Sequence, residues 1–198
     1  MLPTSLSAQL PAWVAPFVAE HAAGEDLSTV EGRMALVHAL ADRNYVEGNG
    51  GPFAAIVCSP SGELLSAGVN VVLSSGLSSM HAEVTAVSLA QVAAGGWDLG
   101  SLRPGLELTV NWRPCAMCLG AVLWSGVSRL AVAGDGPELE ELTGFDEGPV
   151  VTDWVAQLER RGLAVEQDVL RDGALRTFRQ YRDHVRRDPG TVVYNASR

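Results

Sequence analysis

Lysine is absent from the sequence, so all 14 basic residues are arginines, and 23 acidic residues bring the formal net charge to −9. A nucleic-acid-binding protein draws most of its affinity from neutralising phosphates with basic side chains. We therefore expect no nucleic-acid partner for such an acidic chain. A small neutral substrate is compatible with this charge.

Cysteine is scarce and long apolar runs are missing. Cys58, Cys115 and Cys118 are an odd number of thiols at low density, unlike the disulfide framework of a secreted domain. No arginine or lysine precedes Arg33, and no apolar stretch near the N-terminus is long enough for a signal peptide or a membrane span. We expect a soluble, cytoplasmic protein with no membrane partner.

Internal repeats and low-complexity tracts are also missing, and 198 residues with 47% hydrophobic content suit one domain with a substantial core. Apolar periodicity predicts helices near 28–46, 81–94, 114–124 and 154–158 and at the C-terminus to about 187, with a short amphipathic helix before residue 27. Predicted strands lie near 52–58, 63–72, 106–112, 129–134 and 164–170. The alternation indicates an α/β layered domain in which helices cover a mixed sheet.

Cys115 and Cys118 are the first sign of chemistry. They follow Pro114, a residue favoured at the first position of a helix, and residues three apart share a helix face. A Cys-x-x-Cys pair alone also fits a redox motif or half of a structural zinc site. The redox reading needs a thioredoxin-like context, and the structural site needs a second cysteine pair, which a chain with only Cys58 to spare does not supply.

His81 and Glu83 complete the pattern at the start of a second predicted helix. A histidine with two cysteines gives zinc three ligands and leaves one tetrahedral position open, as in catalytic sites. Bound zinc lowers the pKa of water, and a nearby non-ligand carboxylate such as Glu83 moves the protons. His-x-Glu with Pro-Cys-x-x-Cys is the signature of zinc-dependent nucleobase deaminases, so we predict a catalytic Zn²⁺ site.

Four stretches give the chain a family resemblance. They are residues 50–55, 81–86, 114–124 and 144–147, within a match that covers about residues 30–150. In these stretches the chain resembles the cytidine deaminase-like superfamily and, more narrowly, its bacterial guanine deaminase branch. The resemblance implies a three-layer α/β/α fold with a mixed five-stranded sheet, hydrolytic removal of an exocyclic amine, and a homodimer whose C-terminal segment crosses over the partner's site.

The same resemblance implies roles for individual residues. The zinc ligands are His81, Cys115 and Cys118, and Glu83 is the main proton carrier. Further positions are implied to contact the base, by ring packing for Phe53 and by hydrogen bonding for Asn70, with Ala82 and Trp124 as additional lining residues. An aromatic residue on an apolar helix such as Trp124 fits a packing role in the core equally well.

Asp146 and Glu147 offer a second carboxylate. Guanine presents N1–H and an amino group as adjacent donors, and a carboxylate is their natural paired acceptor. We take Asp146 as a substrate contact and Glu147 as a second catalytic carboxylate, although the sequence leaves open which of them meets the base. The alternative is an acidic, solvated loop.

The residues before Pro114 depart from the family pattern. Arg113 stands where glutamate is usual, and Asn111 and Trp112 replace small hydroxyl residues. Trp112 could stack on the substrate or narrow the pocket, and Arg113 could pair with a carboxylate or a polar ring substituent. These residues bear on the substrate more than on the metal chemistry.

Our leading hypothesis is hydrolysis of guanine to xanthine and ammonia, with amino-triazines as further substrates. Alternatives are deamination of another base or nucleoside (cytosine, cytidine or an adenine type), tRNA editing, which the charge disfavours, and a non-catalytic zinc-stabilised interaction module. We expect an N-terminal extension over residues 1–27, the deaminase domain over 28–187 and a C-terminal tail over 188–198.

Overall fold

A computed structural model describes residues 2–188 and 190–195 as three layers, with helices on both faces of one sheet. In these residues the helices are α1 Val14–Ala22, α2 Val30–Val46, α3 Val72–Ser75, α4 Ala82–Ala94, α5 Leu99–Leu102, α6 Ala116–Ser125, α7 Glu138–Thr143, α8 Trp154–Glu159 and α9 Arg171–Arg187. The strands are β1 Ala54–Cys58, β2 Leu64–Val69, β3 Glu107–Val110, β4 Arg129–Val132 and β5 Ala164–Glu166.

The sheet is mixed and has the strand order β2-β1-β3-β4-β5. Strand β1 pairs antiparallel with both β2 and β3, whereas β3, β4 and β5 run parallel to one another. Every residue of β1 and β3 is buried. Strand β1 is apolar throughout, as expected for a strand buried on both faces. Strand β3 alternates between polar and apolar residues, and its buried Glu107 accepts hydrogen bonds from Arg33 and Thr109. The predicted five-stranded mixed sheet is confirmed.

Two apolar clusters fill the space on either side of the sheet. One cluster lies beneath α1, α2 and α9, and the other lies beneath α4, α6 and α8. Helices α2 and α4 pack directly on the strands from opposite faces, and α1, α6 and α9 pack on these two helices, as expected for an α/β/α sandwich. The three-layer architecture predicted from the sequence is therefore confirmed.

Helices α2, α4 and α6 begin one or two residues later than predicted. Thr29 caps α2, because its extended backbone lets its hydroxyl accept a hydrogen bond from Gly32 N. His81 is the N-cap of α4 and Cys115 is the N-cap of α6, so Pro114 lies just outside the helix. The motif residues therefore lie at the very ends of the two helices.

Both terminal segments pack on the domain. Helix α1 lies on α2, with the guanidinium of Arg43 4.8 Å from the ring centroid of Trp13. After α9, residues 190–195 return toward the sheet, and Tyr194 and Asn195 reach the neighbourhood of His81. Of the two predicted terminal segments, residues 1, 189 and 196–198 lie outside the described residues.

Candidate active site

Two helix N-termini converge at the site. Helix α4 begins immediately after His81, and α6 begins immediately after Cys115, following the end of β3. Neither N-cap side chain bonds to its own helix backbone, so the imidazole and the thiol are free to face each other. The partial positive charge of a helix N-terminus favours the thiolate form of cysteine.

His81, Cys115 and Cys118 form a compact cluster of metal-ligand atoms. Their ligand atoms all lie within 4.8 Å of one another, and His81 Nδ1 is 3.6 Å from Cys115 Sγ. The two cysteines are buried, and they are the N-cap and third residue of α6, so their thiols share one face of its first turn. The structure thus brings together the three residues predicted as zinc ligands.

The chemistry of these donors fits zinc. The hydrogen bond from the Cys118 thiol, together with that from His81, lowers the pKa of Cys115 to about 4. The proton shared by the two thiols stays on Cys118, because its hydrogen bond to Cys115 and its burial raise the pKa of Cys118. A divalent metal would replace that proton, and a set of one imidazole and two thiolates suits zinc while leaving a fourth tetrahedral position open.

Glu83 lies two residues beyond His81 and is almost completely buried. Burial raises the pKa of its carboxyl group, and the negative charge of Cys115 acts in the same direction. Glu83 therefore binds a proton more readily than an ordinary glutamate does. A buried carboxyl group beside a metal cluster is suited to holding and transferring a proton.

The structure separates the two acidic residues of the Gly-Phe-Asp-Glu segment. Glu147 is 7% exposed and lines the same cavity as His81 and Glu83. Burial first, and then the charges of Cys115 and Glu83, raise the pKa of Glu147 to about 8. Asp146 is exposed, and its carboxylate accepts a hydrogen bond from Gly148 N. The Asp146 carboxylate is thus engaged in the turn, and the predicted contact of Asp146 with the base stays a prediction.

Phe53 and Asn70 lie in the cavity wall opposite the acidic residues. The ring of Phe53 is held by Phe145, with centroids 5.2 Å apart. Asn70 is fully buried, its Oδ1 accepts from Val72 N, and its Nδ2 donates to the hydroxyl of Tyr194 at 2.6 Å. Asn70 thus directs an amide donor toward the cavity.

Residues 190–195 cover the cavity from the outside. Asn195 Nδ2 donates to Asp146 O at 2.9 Å, and Asp146 N donates to Asn195 O at 2.9 Å. The ring of Tyr194 lies 5.0 Å from that of Phe145 and 6.0 Å from that of His81. The segment covers the site of its own chain, and the predicted exchange of this segment between subunits stays a prediction.

The three residues before Pro114 have distinct positions. Asn111 ties strand β1 to the end of β3, accepting from Ala54 N and donating to Pro52 O. Trp112 lines the cavity and is 1% exposed, with the guanidinium of Arg171 4.8 Å from its ring centroid. Arg113 also lines the cavity and forms an ion pair with Asp135, Nε to Oδ1 at 2.8 Å.

Two further predicted contacts lie outside the cavity wall. Ala82 is fully buried behind His81, and its carbonyl accepts from the hydroxyl of Thr85. Trp124 is 78% exposed, so it does not pack in the core of this chain, and it is not among the residues that line the cavity; its predicted contact with the substrate stays a prediction. Six residues of helix rotate its side chain by about 240° from that of Cys118, onto the solvent face.

Sequence reasoning missed Tyr194, Asn195 and Asp135. Tyr194 and Asn70 are 124 positions apart in the chain, and no local pattern links them. Asp135 belongs to no motif, although it follows strand β4, where side chains reach the sheet edge that carries the site. That position after a strand was the one available signal.

The cavity wall is built from residues of β3 and α4 and of the segments before β1, after β2, before α4, after β3, after α7 and after α9: Phe53, Asn70, His81, Glu83, Val110, Trp112, Arg113, Glu147, Tyr194 and Asn195.

Residues 27–134 match the model of the cytidine and deoxycytidylate deaminase zinc-binding region. The chain belongs to this zinc-binding deaminase family. It is a zinc-dependent hydrolytic nucleobase deaminase with the cytidine deaminase-like fold.

Similar proteins include guanine deaminases. The guanine deaminase of Bacillus subtilis (strain 168) is 30% identical over 131 residues, 66% of this chain and 80% of that protein. The solved guanine deaminase of Nitrosomonas europaea is 38% identical with a TM-score of 0.81, over 92% of this chain and 99% of that one. A further solved structure, of NE0047 in complex with 2,6-diaminopurine, is 38% identical with a TM-score of 0.81, over 96% and 97% of the two chains.

No helix within residues 2–188 and 190–195 is both long enough and apolar enough to cross the hydrocarbon core of a bilayer.

Proposed function

We propose that this deaminase converts guanine to xanthine and ammonia, and that it also accepts amino-triazines. The observation that carries the proposal is a second buried carboxyl group, Glu147, in the wall of the cavity that holds His81 and Glu83. A carboxylate is the paired acceptor that the adjacent N1–H and 2-amino donors of guanine require. Cytosine and adenine lack this pair of neighbouring donors.

The roles of the protein groups follow from their positions. His81, Cys115 and Cys118 would hold zinc, which when bound brings the pKa of water toward neutrality and makes it a nucleophile for carbon 2 of the base. Glu83 accepts one proton from the water and delivers it to N3, and it then passes the second water proton to the leaving amine. Glu147 holds the N1 edge and shares in proton transfer to the departing ammonia.

The remaining wall orients the base. The ring of Phe53 packs on the flat face of the purine, and the amide of Asn70 supplies a hydrogen-bond donor at its edge. The relatives with 30% and 38% identity are guanine deaminases. A related solved structure contains 2,6-diaminopurine, a purine with an amino group at carbon 2. Both similarities support guanine as the substrate.

Entry of the base requires the C-terminal segment to move. The cavity volume is about 10 Å³, room for one water molecule at most. Tyr194 and Asn195 form the outer wall and hold it by three hydrogen bonds, to Asn70 and to Asp146. Opening of residues 190–195 admits the purine, and their return excludes bulk water during proton transfer.

An ammonia-release panel tests the substrate. Purified protein is assayed with guanine, adenine, cytosine, their nucleosides and amino-triazines, and zinc is measured on the same sample. We expect about one zinc per chain and the highest kcat/KM for guanine. Turnover of cytidine or adenine in preference to guanine would overturn the substrate assignment and leave the reaction class standing.

The same protein preparation tests two alternative functions. A tRNA-editing enzyme would shift tRNA in a low-salt gel, which the charge of −9 disfavours. A silent zinc-stabilised module would contain zinc, release no ammonia from any base in the panel, and be unaffected by substitution of Glu83. We expect neither result.

We further infer that the enzyme acts as a homodimer. Helix α6, whose start carries two zinc ligands, exposes one apolar face of Met117, Gly120, Ala121 and Trp124, and Trp124 is 78% exposed. A tryptophan this exposed on an otherwise small and apolar helix face is typical of a surface covered by another subunit.

We also propose a cellular location, a metabolic role and a domain organisation for the enzyme. The three cysteines are free thiols, which suits a reducing cytoplasm, and the substrate places the reaction in purine metabolism. Residues 28–187 form the catalytic domain, between an N-terminal extension over 1–27 and a C-terminal tail over 188–198. Helix α1 of the extension packs on α2, and Tyr194 and Asn195 of the tail cover the site.

A further inference from the structure

Arg113 lies in the cavity wall with one part of its guanidinium fixed and the rest available. Its Nε forms an ion pair with Asp135 Oδ1 at 2.8 Å, although the N–H direction does not satisfy a hydrogen bond, and its side chain is 13% exposed. Within residues 2–188 and 190–195, the terminal nitrogens of Arg113 form no hydrogen bond, and they are not among the buried atoms that lack a partner. They therefore have accessible surface and remain free to donate to a ligand.

Asp135 is itself held from several directions. Its Oδ2 accepts from Trp154 Nε1 at 2.7 Å, and its Oδ1 accepts from Gly136 N at 2.7 Å. Its main-chain carbonyl accepts from Arg171 at 2.9 Å. The backbone N–H of Arg113 donates to Gly134 O at 2.8 Å, so both ends of the arginine are fixed. Such a side chain loses little conformational freedom when a ligand binds.

Arg113 and Glu147 both line the same small cavity. The Glu147 carbonyl accepts from Ala116 N, three residues after Arg113, which holds the two segments together. The wall therefore presents a carboxyl acceptor and a guanidinium donor as neighbours. Around the edge of guanine, the two donors at the 2-amino group and N1 are followed by the two acceptors O6 and N7. A carboxyl group and a neighbouring guanidinium match these two pairs in order.

We propose that Arg113, positioned by Asp135, donates hydrogen bonds to the O6 and N7 acceptors of the base and so makes the enzyme selective for a 6-oxopurine. The inference rests on the proposed function, in which guanine is the substrate. Arginine is the side chain best matched to these two acceptors, because its planar fork reaches both of them at once. Asp135 acts only through Arg113.

The test uses analogues that keep N1–H and the 2-amino group. 7-Deazaguanine lacks the N7 acceptor, and 6-thioguanine replaces O6 with a weakly accepting sulfur. The kcat/KM values for guanine and both analogues are measured for the wild type, Arg113→Met, Arg113→Lys and Asp135→Asn. Arg103→Met is the matched control, since Arg103 pairs with Glu63 at the exposed surface. Zinc content and thermal stability are recorded for each variant.

We expect the wild type to prefer guanine over each analogue by about 10- to 100-fold, the usual discrimination of a bidentate arginine contact. Arg113→Met should reduce this preference about tenfold, mainly through KM for guanine, with zinc retained. Arg113→Lys and Asp135→Asn should fall between, and Arg103→Met should match the wild type. The change in the ratio distinguishes recognition from a general loss of activity.

An equal loss of activity toward all three bases in Arg113→Met, or no loss, would overturn the proposed contact. A wild-type preference in Asp135→Asn would refute the positioning role. If the wild type released no ammonia from guanine while deaminating another base, the proposed substrate would fall, and the Arg113 contact with it. These results are distinguishable because the first two leave guanine turnover by the wild type intact.

Discussion

Glu83 is buried beside the metal-ligand cluster and coordinates nothing itself in the proposed arrangement. Replacing it with glutamine keeps the size of the side chain and removes its ability to exchange a proton. We expect Glu83→Gln to retain zinc and thermal stability and to lose about 10²- to 10⁴-fold in kcat, the usual contribution of general acid–base catalysis. Ammonia release and metal analysis on the same preparation provide the measurement. Substantial remaining turnover would contradict the role of Glu83.

Two buried cysteines offer a matched comparison. Cys115 belongs to the ligand cluster, whereas Cys58 lies in strand β1, where burial raises the pKa of its thiol to about 12. We expect Cys115→Ala to lose zinc and activity, because two ligands hold the ion poorly. Cys58→Ala should keep both and cost about 1 kcal/mol for the small cavity. Loss of zinc from Cys58→Ala alone would contradict the assignment of ligands.

The titration of His38, which lies on helix α2, is expected to make the stability of the protein depend on pH. Burial first, and the charge of Arg176 second, lower the pKa of its imidazole from near 6.5 to about 4. Between these values the unfolded chain binds more protons than the folded one, so this group's stabilising contribution is complete above pH 6.5 and is lost as the pH falls toward 4. The loss is about 3 kcal/mol.

The variant His38→Gln isolates that contribution, since acid also protonates carboxylates and the metal ligands in both proteins. Urea unfolding at pH 7.5 and 4.5 should show a larger fall in unfolding free energy for the wild type than for His38→Gln. Parallel curves for the two proteins would show that His38 does not titrate in this range.

At the scale of elements, the active site depends on how closely α4 lies on β2. A Cβ atom at Gly68 in β2 would be 2.4 Å from Ala86 N and 2.5 Å from Ala82 O, both backbone atoms of α4. No side-chain rotation relieves that contact, so Gly68→Ala must push α4 away from the sheet. We expect a cost of about 1 to 3 kcal/mol and weaker zinc binding, because His81 moves with α4 away from α6.

Gly24 supplies the control for this prediction. It follows α1, its backbone is not in the left-handed region, and an added Cβ would make only an ordinary 3.6 Å contact with His21 O. Gly24→Ala should therefore be neutral or stabilise by up to about 1 kcal/mol. Chemical unfolding and competitive zinc chelation measure both variants. Normal zinc affinity in Gly68→Ala would contradict the link between the two elements.

The same elements show what a sequence reveals about a site. The zinc ligands were predictable because Cys115 and Cys118 are three apart at a helix start and His81 precedes Glu83 at another, so local spacing fixes their geometry. The choice between Asp146 and Glu147 depends on the path of a loop. Tyr194 reaches Asn70 only through the packing of the whole chain, which no local pattern encodes.

At the scale of the whole molecule, the order of strands and helices predicted the layers, since each apolar run needs a cover on both faces of the sheet. The surface was harder to predict. An apolar residue in a helix is usually buried, and sequence alone does not say whether its own domain or a second subunit provides the cover. Trp124 was therefore assigned to the pocket or the core, and it lies at the surface.

The exposed face of α6 gives a prediction about assembly. We expect the wild type to sediment as a dimer and Trp124→Glu to sediment as a monomer, because a charge replaces the large apolar surface that would be buried there. Val46→Glu is the control, since Val46 is 62% exposed at the end of α2, in the opposite helix layer. The helix that carries this face also begins with Cys115 and Cys118, so a monomeric variant should bind zinc less tightly as well. A dimeric Trp124→Glu, or a monomeric wild type, would place the interface elsewhere or remove it.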